Sequence, residues 1–316
     1  WLGKGKAIIV TGPRQVGKTT LVRKITQSLD RKTLWLTGDD PETRSLLDNV
    51  SLARLQTIVG QNEVVVVDDA SVDDTVAACA AFDDSRLRIV RRDVNGGAAA
   101  ARNTGILEST ADLIAFLDSD DSCLPDKLAR QVAAMSLPGA PEVGCTGVIL
   151  HLLDHGEKRV KRLEQTSDWA RRLAMDCDLS PGSTQIATRR IFGEIGLLDE
   201  ALPRFEDWDW LLRYTRRHAI GAIPDPLAEI YNRRARLGET VERSAALFQR
   251  KHQSVFRGLP ASDRRDALMN LWLQAANTYA FERRFWRAIP PLIKAFRHRP
   301  LRTTQRFFGG AIRYGL

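Results

Sequence analysis

Short apolar runs, separated by stretches with apolar residues three or four apart, organise the first two thirds of this 316-residue chain. Residues 7–10 are a β-branched run leading into Thr11-Gly12-Pro13-Arg14-Gln15-Val16-Gly17-Lys18-Thr19-Thr20 and then a helical pattern to Leu29. Residues 33–36 read as a second strand. Residues 42–59 carry Leu46, Leu47, Val50, Leu55 and Ile58 at helical spacing and end at Gly60. Residues 63–67 read as a buried strand closed by Asp68-Asp69-Ala70-Ser71. A helix over 73–81, a strand over 88–90 and a helix from near Gly97 come next, then a buried strand over 113–117 closed by Asp118-Ser119-Asp120-Asp121. After about residue 236 the strands stop, and helices run to a basic, aromatic tail. This alternation predicts an α/β fold with a mainly parallel, Rossmann-like sheet and its site in the polar loops at the strand C-termini.

Composition changes that picture little. Hydrophobic residues at 43% and charged residues at 27% are ordinary for a globular protein. No apolar run approaches the roughly 18 to 20 residues of a membrane helix. The chain starts at Trp1 rather than Met and shows no signal-peptide pattern, so its true N-terminus is expected to lie upstream; the expected location is cytoplasmic. Cys79, Cys123, Cys145 and Cys177 are scattered without a CxxC pair, which argues against zinc and fits a reducing compartment. The net charge of +8 calls for an anionic partner. Basic residues mixed into apolar helix faces, with no recognised nucleic-acid motif, argue against nucleic acid. Five of the ten lysines (Lys4, Lys6, Lys18, Lys24, Lys32) fall before residue 63, whereas arginine supplies most positive charge afterwards.

Asp118-x-Asp120 directly follows an apolar strand, with Asp121 beside it. Carboxylates at i and i+2 on a turn can share one hard cation, Mn²⁺ or Mg²⁺, which keeps positions open for phosphate oxygens. The plainer reading is an acidic turn with Asp121 or Ser122 capping the next helix before Pro125. The pair is accompanied by Asp68-Asp69-Ala70-Ser71-Val72-Asp73-Asp74-Thr75, Asn95-Gly96-Gly97, Ala101-Arg102-Asn103-Thr104-Gly105 and Phe205-Glu206-Asp207-Trp208-Asp209-Trp210. In motif, order and spacing the set resembles family 2 glycosyltransferases of the GT-A fold, over about residues 63–235.

The resemblance implies an inverting transfer of sugar from a nucleotide-sugar donor, a UDP-sugar foremost, to a hydroxyl of a sugar or lipid-linked acceptor in bacterial cell-surface polysaccharide synthesis. It implies that Asp69 hydrogen-bonds the base with Asp68 beside it, and that Arg102 lies against the nucleotide. Asp118 would face ribose and metal, Asp120 would bind the Mn²⁺ or Mg²⁺ bridging the diphosphate, and Asp207 would be the general base. A base with its pKa near the working pH should sit partly desolvated near other carboxylates. For Glu206 and Asp207 alone, a solvated acidic helix start is the alternative.

The opening of the chain does not match that family, whose domains begin with a strand ending in a Pro-Thr-Tyr-Asn-like turn. Gly12-x-x-x-x-Gly17-Lys18-Thr19 is instead a full Walker A pattern between a strand and a helix. Its glycines let backbone amides wrap phosphate, Lys18 reaches the terminal phosphates and Thr19 ligates Mg²⁺. Residues 1–62 resemble the start of a bacterial P-loop ATPase of the AAA superfamily, with residues 64–67 and Asp68-Asp69 in the Walker B place. The chain therefore reads as a chimera joined at the strand over 63–67: a P-loop segment (1–62), a transferase domain lacking its usual first strand (63–235) and a basic helical region (236–316). The N-terminal strand and helix could stand in for the missing ones. A P-loop ATP-binding protein, or an inactive chimera, are the competing readings.

Three further features carry weaker signals. His151 and His155 have i, i+4 spacing without an evident third ligand. Trp208 and Trp210 suit either acceptor stacking or the core. From Arg283 to Arg313, arginines interleave with Phe285, Trp286, Phe296, Phe307 and Phe308, which fits either an amphipathic helix at the inner face of an anionic membrane or a solvated helical cap.

Overall fold

The computed structural model describes residues 6–11, 63–82, 84–153, 156–179, 182–232 and 237–313. β1 (Lys6–Thr11), β2 (Glu63–Asp68), β3 (Leu87–Arg91) and β4 (Leu113–Asp118) form a parallel set in the order β3-β2-β1-β4. Between them run α1 (Thr75–Ala80) and α2 (Gly97–Glu108). Val65, Val67, Ile114, Phe116 and Leu117 are buried, as expected of strands covered on both faces. α2 presents Ala99, Ala101 and Ile106 to the core and packs on β1 and β2.

β1 therefore occupies the middle of the sheet, between β2 and β4. Its register pairs Val10 with Val66 on one side and with Leu117 on the other, and Thr11 with Asp118. The N-terminal strand thus stands where a first strand is needed, which agrees with the substitution read from the sequence. Residues 12–62, including the Walker A pattern, lie outside the described residues.

The remaining half of the sheet departs from the parallel expectation. β5 (Ser122–Cys123), α3 (Lys127–Met135), β6 (Val143–Leu152), β7 (Glu157–Lys161), α4 (Trp169–Met175), β8 (Gln185–Thr188), α5 (Arg189–Ile195), α6 (Glu206–Tyr214) and β9 (Ile220–Asn232) follow in sequence. β8 runs antiparallel to β4 and β6, β9 is parallel to β6, and β5 is antiparallel to β9. The sheet is mixed because these strands pair across long intervals rather than through successive strand–helix–strand crossovers. Pro224 and Pro226 lack ladder donors, and the β6–β9 register slips beside them at Gly147. A Cβ at Gly147 would lie 2.7 Å from the Lys161 and Pro224 carbonyl oxygens, so the slip requires glycine.

As expected, among the described residues only helices follow: α7 (Gly238–Lys251), α8 (Gln253–Gly258), α9 (Ala261–Phe281), α10 (Phe285–His298) and α11 (Pro300–Arg313). α9 packs on α7, α10 and α4, and α4 packs on α6, so this helical layer is continuous with the site. Among the described residues no helix is long and apolar enough to cross a membrane.

Candidate active site

Two acidic turns lie at the C-terminal ends of neighbouring strands. At the end of β2, Asp68 is 1% exposed and accepts from the Ser71 backbone N–H, with Arg91 Nε at 3.6 Å. Asp69 accepts from the Gly96 and Gly97 amides at 3.0 and 2.7 Å and pairs with Arg92 Nε at 2.8 Å. Asn95 Nδ2 donates to the Asp69 carbonyl. Sequence reasoning gives Asp69 to a base, but here its carboxylate fixes the Asn95-Gly96-Gly97 turn.

At the end of β4, Asp118 accepts from Arg102 Nη2 at 2.7 Å. The same guanidinium donates through Nη1 to Glu206 Oε1, at 2.5 Å, in the first turn of α6. Arg102 is 4% exposed and thus brackets the β4 turn to the start of α6 across 104 residues of chain. Burial lowers its pKa, but Asp118, Glu206 and Asp207 together more than offset this and hold the guanidinium above its usual value. The structure accordingly makes Arg102 a clamp between acids as well as a wall of the site. Burial first, then neighbouring Asp207, raises Glu206 above the ordinary carboxylate range.

Asp207 is half-buried beside Glu206 and lines a small hollow with Arg102, Phe116, Gly182, Gln185 and Trp210. Asp207 is thus partly desolvated next to a second carboxylate. Glu206 and Asp207 together are not a solvated helix start, since Glu206 is only 6% exposed. Asp120 sits half-buried in the turn after Asp118.

Asp121 does not cap a helix. It accepts from Ser183 Oγ at 2.6 Å and from the Tyr231 amide at 3.3 Å, while Asp118 N donates to Ser183 Oγ at 3.0 Å. The residue preceding α3 is Asp126. Burial, with Asp118 next in weight, raises Asp121 well above the usual carboxylate value.

Ser183, Gly182 and Gln185 were missed by sequence reasoning, because no local motif marks the loop before β8. Gly182 has φ +71°, and a Cβ there would lie 3.2 Å from both Arg102 Nη2 and Asp118 Oδ2. A left-handed glycine in close approach was the available signal.

The other acid of the motif has a different fate. Asp209 is fully buried and held by His252 Nε2 and Lys251 Nζ at 2.8 Å and Arg213 Nε at 3.0 Å. Trp208 and Trp210 are core residues, 2% and 1% exposed, whose indoles donate to the Leu173 and Gly196 carbonyls. His155, the other member of the i, i+4 pair, lies outside the described residues, whereas His151 is described. It stacks on Tyr231 at 4.3 Å and meets Glu229 at 3.1 Å.

Among the described residues no three His, Cys, Asp or Glu side chains form a closed metal cage. Asp118 and Asp120 still offer hard oxygen donors on one turn. That donor set fits an ion completing its shell with phosphate oxygens and water, rather than a protein-only cage.

Parallel strands carrying a strand-end acid pair are thus clamped by Arg102 to a second acid pair on a distant helix. Residues 45–171 match the family model Glycosyl transferase family 2, and residues 4–84 match an AAA domain. The two matches overlap across β2, the strand at which the sequence reads as joined. The chain is thus similar to family 2 glycosyltransferases over residues 45–171 and to an AAA domain over residues 4–84.

Over 78 residues it is 47% identical to the succinoglycan biosynthesis protein ExoO of Rhizobium meliloti, covering 25% of this chain and 22% of that protein. Over 73 residues it is 41% identical to the Escherichia coli UDP-Glc:alpha-D-GlcNAc-diphosphoundecaprenol beta-1,3-glucosyltransferase WfgD, covering 23% and 29%. The match thus spans under a third of either relative. The S. aureus TarS structure in complex with UDP shares the fold at TM-score 0.52 and 15% identity, covering 94% of this chain and 92% of that one.

Proposed function

We propose that this chain is an inverting, metal-dependent glycosyltransferase that moves a sugar from a UDP-sugar to a hydroxyl of a sugar or lipid-linked acceptor in bacterial cell-surface polysaccharide synthesis. The observation that carries this reading is the Arg102 clamp, which holds the Asp118–Asp120 turn of β4 against Glu206–Asp207 of α6. Two acid pairs of unlike task meet there: one suits a cation and diphosphate, the other a proton. The UDP-glucosyltransferase relative supports the donor and the lipid-linked acceptor class.

In this mechanism the acceptor hydroxyl gives its proton to the Asp207 carboxylate while its oxygen bonds to the anomeric carbon. The bond from that carbon to the diphosphate oxygen breaks on the opposite face, which inverts the configuration, and UDP leaves. Asp118 and Asp120 would hold Mn²⁺ or Mg²⁺, which when bound would neutralise charge on the diphosphate. Arg102 positions Asp118 and Glu206, and so sets the start of α6 that carries Asp207 against the β4 turn. Asp68 and Asp69 form the nucleotide end of the site, where Asp69 shapes the Gly96-Gly97 turn. The domain runs over about residues 63–235 together with β1, and it works in the cytoplasm at the inner face of the membrane.

The AAA match over residues 4–84 favours a second reading, ATP held at Gly12, Gly17, Lys18 and Thr19, all outside the described residues. Calorimetric titration with UDP and with ATP, each with Mn²⁺ or Mg²⁺, separates the two. Metal-dependent UDP binding lost in Asp120→Ala supports the transferase. ATP binding lost in Lys18→Ala, with no response to UDP, leaves a P-loop protein instead.

A further inference from the structure

α10 is built inside out. The residues it buries against neighbouring helices are small or compact, Ala288, Pro291 and Ala295. Leu292 packs against the core, but most of its bulky apolar side chains face water: Trp286 is 86% exposed, and Phe285, Ile289, Ile293 and Phe296 are each 41–51% exposed. Residues 286, 289, 293 and 296 recur at intervals of three and four and so form one stripe. Leu301, at the start of α11, is also 81% exposed. A surface helix ordinarily turns such residues to the core and its polar residues outward. A continuous apolar patch of this kind marks an interaction surface.

Charge identifies what covers it. Residues 283–313 contain nine of the 47 Lys and Arg residues and none of the 39 Asp and Glu residues, which leaves 38 basic against 39 acidic elsewhere. The net positive charge of the whole chain therefore resides in this segment. Part of it anchors the helices: Arg284 pairs with Glu239, Lys294 with Glu242, and Arg299 with Asp266. Arg302 also pairs with Asp266, at 2.9 Å, whereas Arg283, Arg287 and Arg297 are exposed.

We propose that α10 and the start of α11 are a docking face for an anionic phospholipid bilayer. Trp286 and its apolar neighbours enter the boundary between headgroups and acyl chains, and the exposed arginines lie against lipid phosphates. The helix lies on the surface, in keeping with the short, amphipathic character of α10. A second copy of the chain fits this face poorly. Symmetric pairing would set two basic segments, each without acidic residues, against one another. The inference does not use Asp120 or Asp207, so it stands or falls separately from sugar transfer.

The test is sedimentation of the full chain with phosphatidylcholine vesicles, with and without phosphatidylglycerol, alongside its mass by light scattering. Binding is expected only to the anionic vesicles, weakening with salt. The double variant Trp286→Ser/Ile293→Ser should lose at least about tenfold in partitioning. Arg283→Gln/Arg297→Gln should reduce the preference for phosphatidylglycerol. All four side chains are exposed, so thermal melting should be unchanged in both variants. Equal binding to neutral and anionic vesicles, or binding to neither, overturns the proposal. So does a dimer that Trp286→Ser/Ile293→Ser converts to a monomer without vesicle binding.

Discussion

The acidic turns after β2 and β4 look alike in sequence, yet they have opposite electrostatic characters. After β2, each carboxylate is matched: Asp68 by Ser71 and Arg91, Asp69 by two glycine amides and Arg92. After β4, Asp118, Asp120, Asp121, Glu206 and Asp207 gather about one buried guanidinium, that of Arg102. A matched cluster stabilises the fold. In the crowded one, burial and neighbouring carboxylates raise Asp121 and Glu206, and perturbed acids of this kind mark functional sites. Asp209 extends the lesson: two residues from Asp207 on the same helix, it is fully neutralised by three basic side chains.

The largest effect is expected at Asp207. Asp207→Asn keeps shape and removes the base, so turnover of a UDP-sugar should fall roughly a hundredfold to ten-thousandfold while melting stays near wild type. Steady-state kinetics with a melting curve reads both. Unchanged turnover would place the base elsewhere and erase the contrast with Asp209.

Next in size is Arg102→Met. Removing the guanidinium leaves Asp118 and Glu206 facing each other in a buried setting, and breaking such a pair costs about 3–5 kcal/mol. Denaturant unfolding should show that loss. A destabilisation below about 1 kcal/mol would mean that the two acids take up protons or cations readily without the clamp.

Asp209 supplies the pH arm. Burial would raise its pKa, but hydrogen bonds from His252 and Lys251 and the charge of Arg213 bring it below the usual value. A depressed folded pKa gives stability that is present above the unfolded value of about 3.9 and lost as pH falls through the folded value. Asp209→Asn should therefore cost about 2 kcal/mol at neutral pH. The gap to wild type should close in acid below about pH 4, as followed by urea midpoints across pH. A gap that persists at low pH would assign the loss to packing.

How far these roles were legible depends on the range of the contacts involved. β2, β4 and the acids that close them follow from local apolar runs, and the central place of β1 follows from the need for a strand beside β4. The mixed half of the sheet does not, since β8, β6 and β9 pair across tens of residues without a local signature. Within the site, Asp207 stood out by motif. The Ser183 bridge from the Asp118 amide to Asp121, and the left-handed Gly182 against Arg102, exist only once the loop before β8 is folded onto β4. The tryptophans could not be assigned by composition, because an indole that donates to a buried carbonyl looks the same in sequence as one offered to a sugar.

The smallest expected effect is the most discriminating. Asp69→Asn keeps an oxygen for one glycine amide but loses the charge that strengthens its bonds to Gly96, Gly97 and Arg92. Since Asp69 is matched in the fold, the variant should lose about 1 kcal/mol of stability, seen as a lower urea midpoint at unchanged slope. UDP affinity should change little once the fraction folded is taken into account. If Asp69 instead reads the base, the pattern reverses: the midpoint holds and UDP binding falls, while an adenine nucleotide is discriminated less well. In that case the β2 turn opens in the working enzyme, and the matched cluster belongs to the resting state alone.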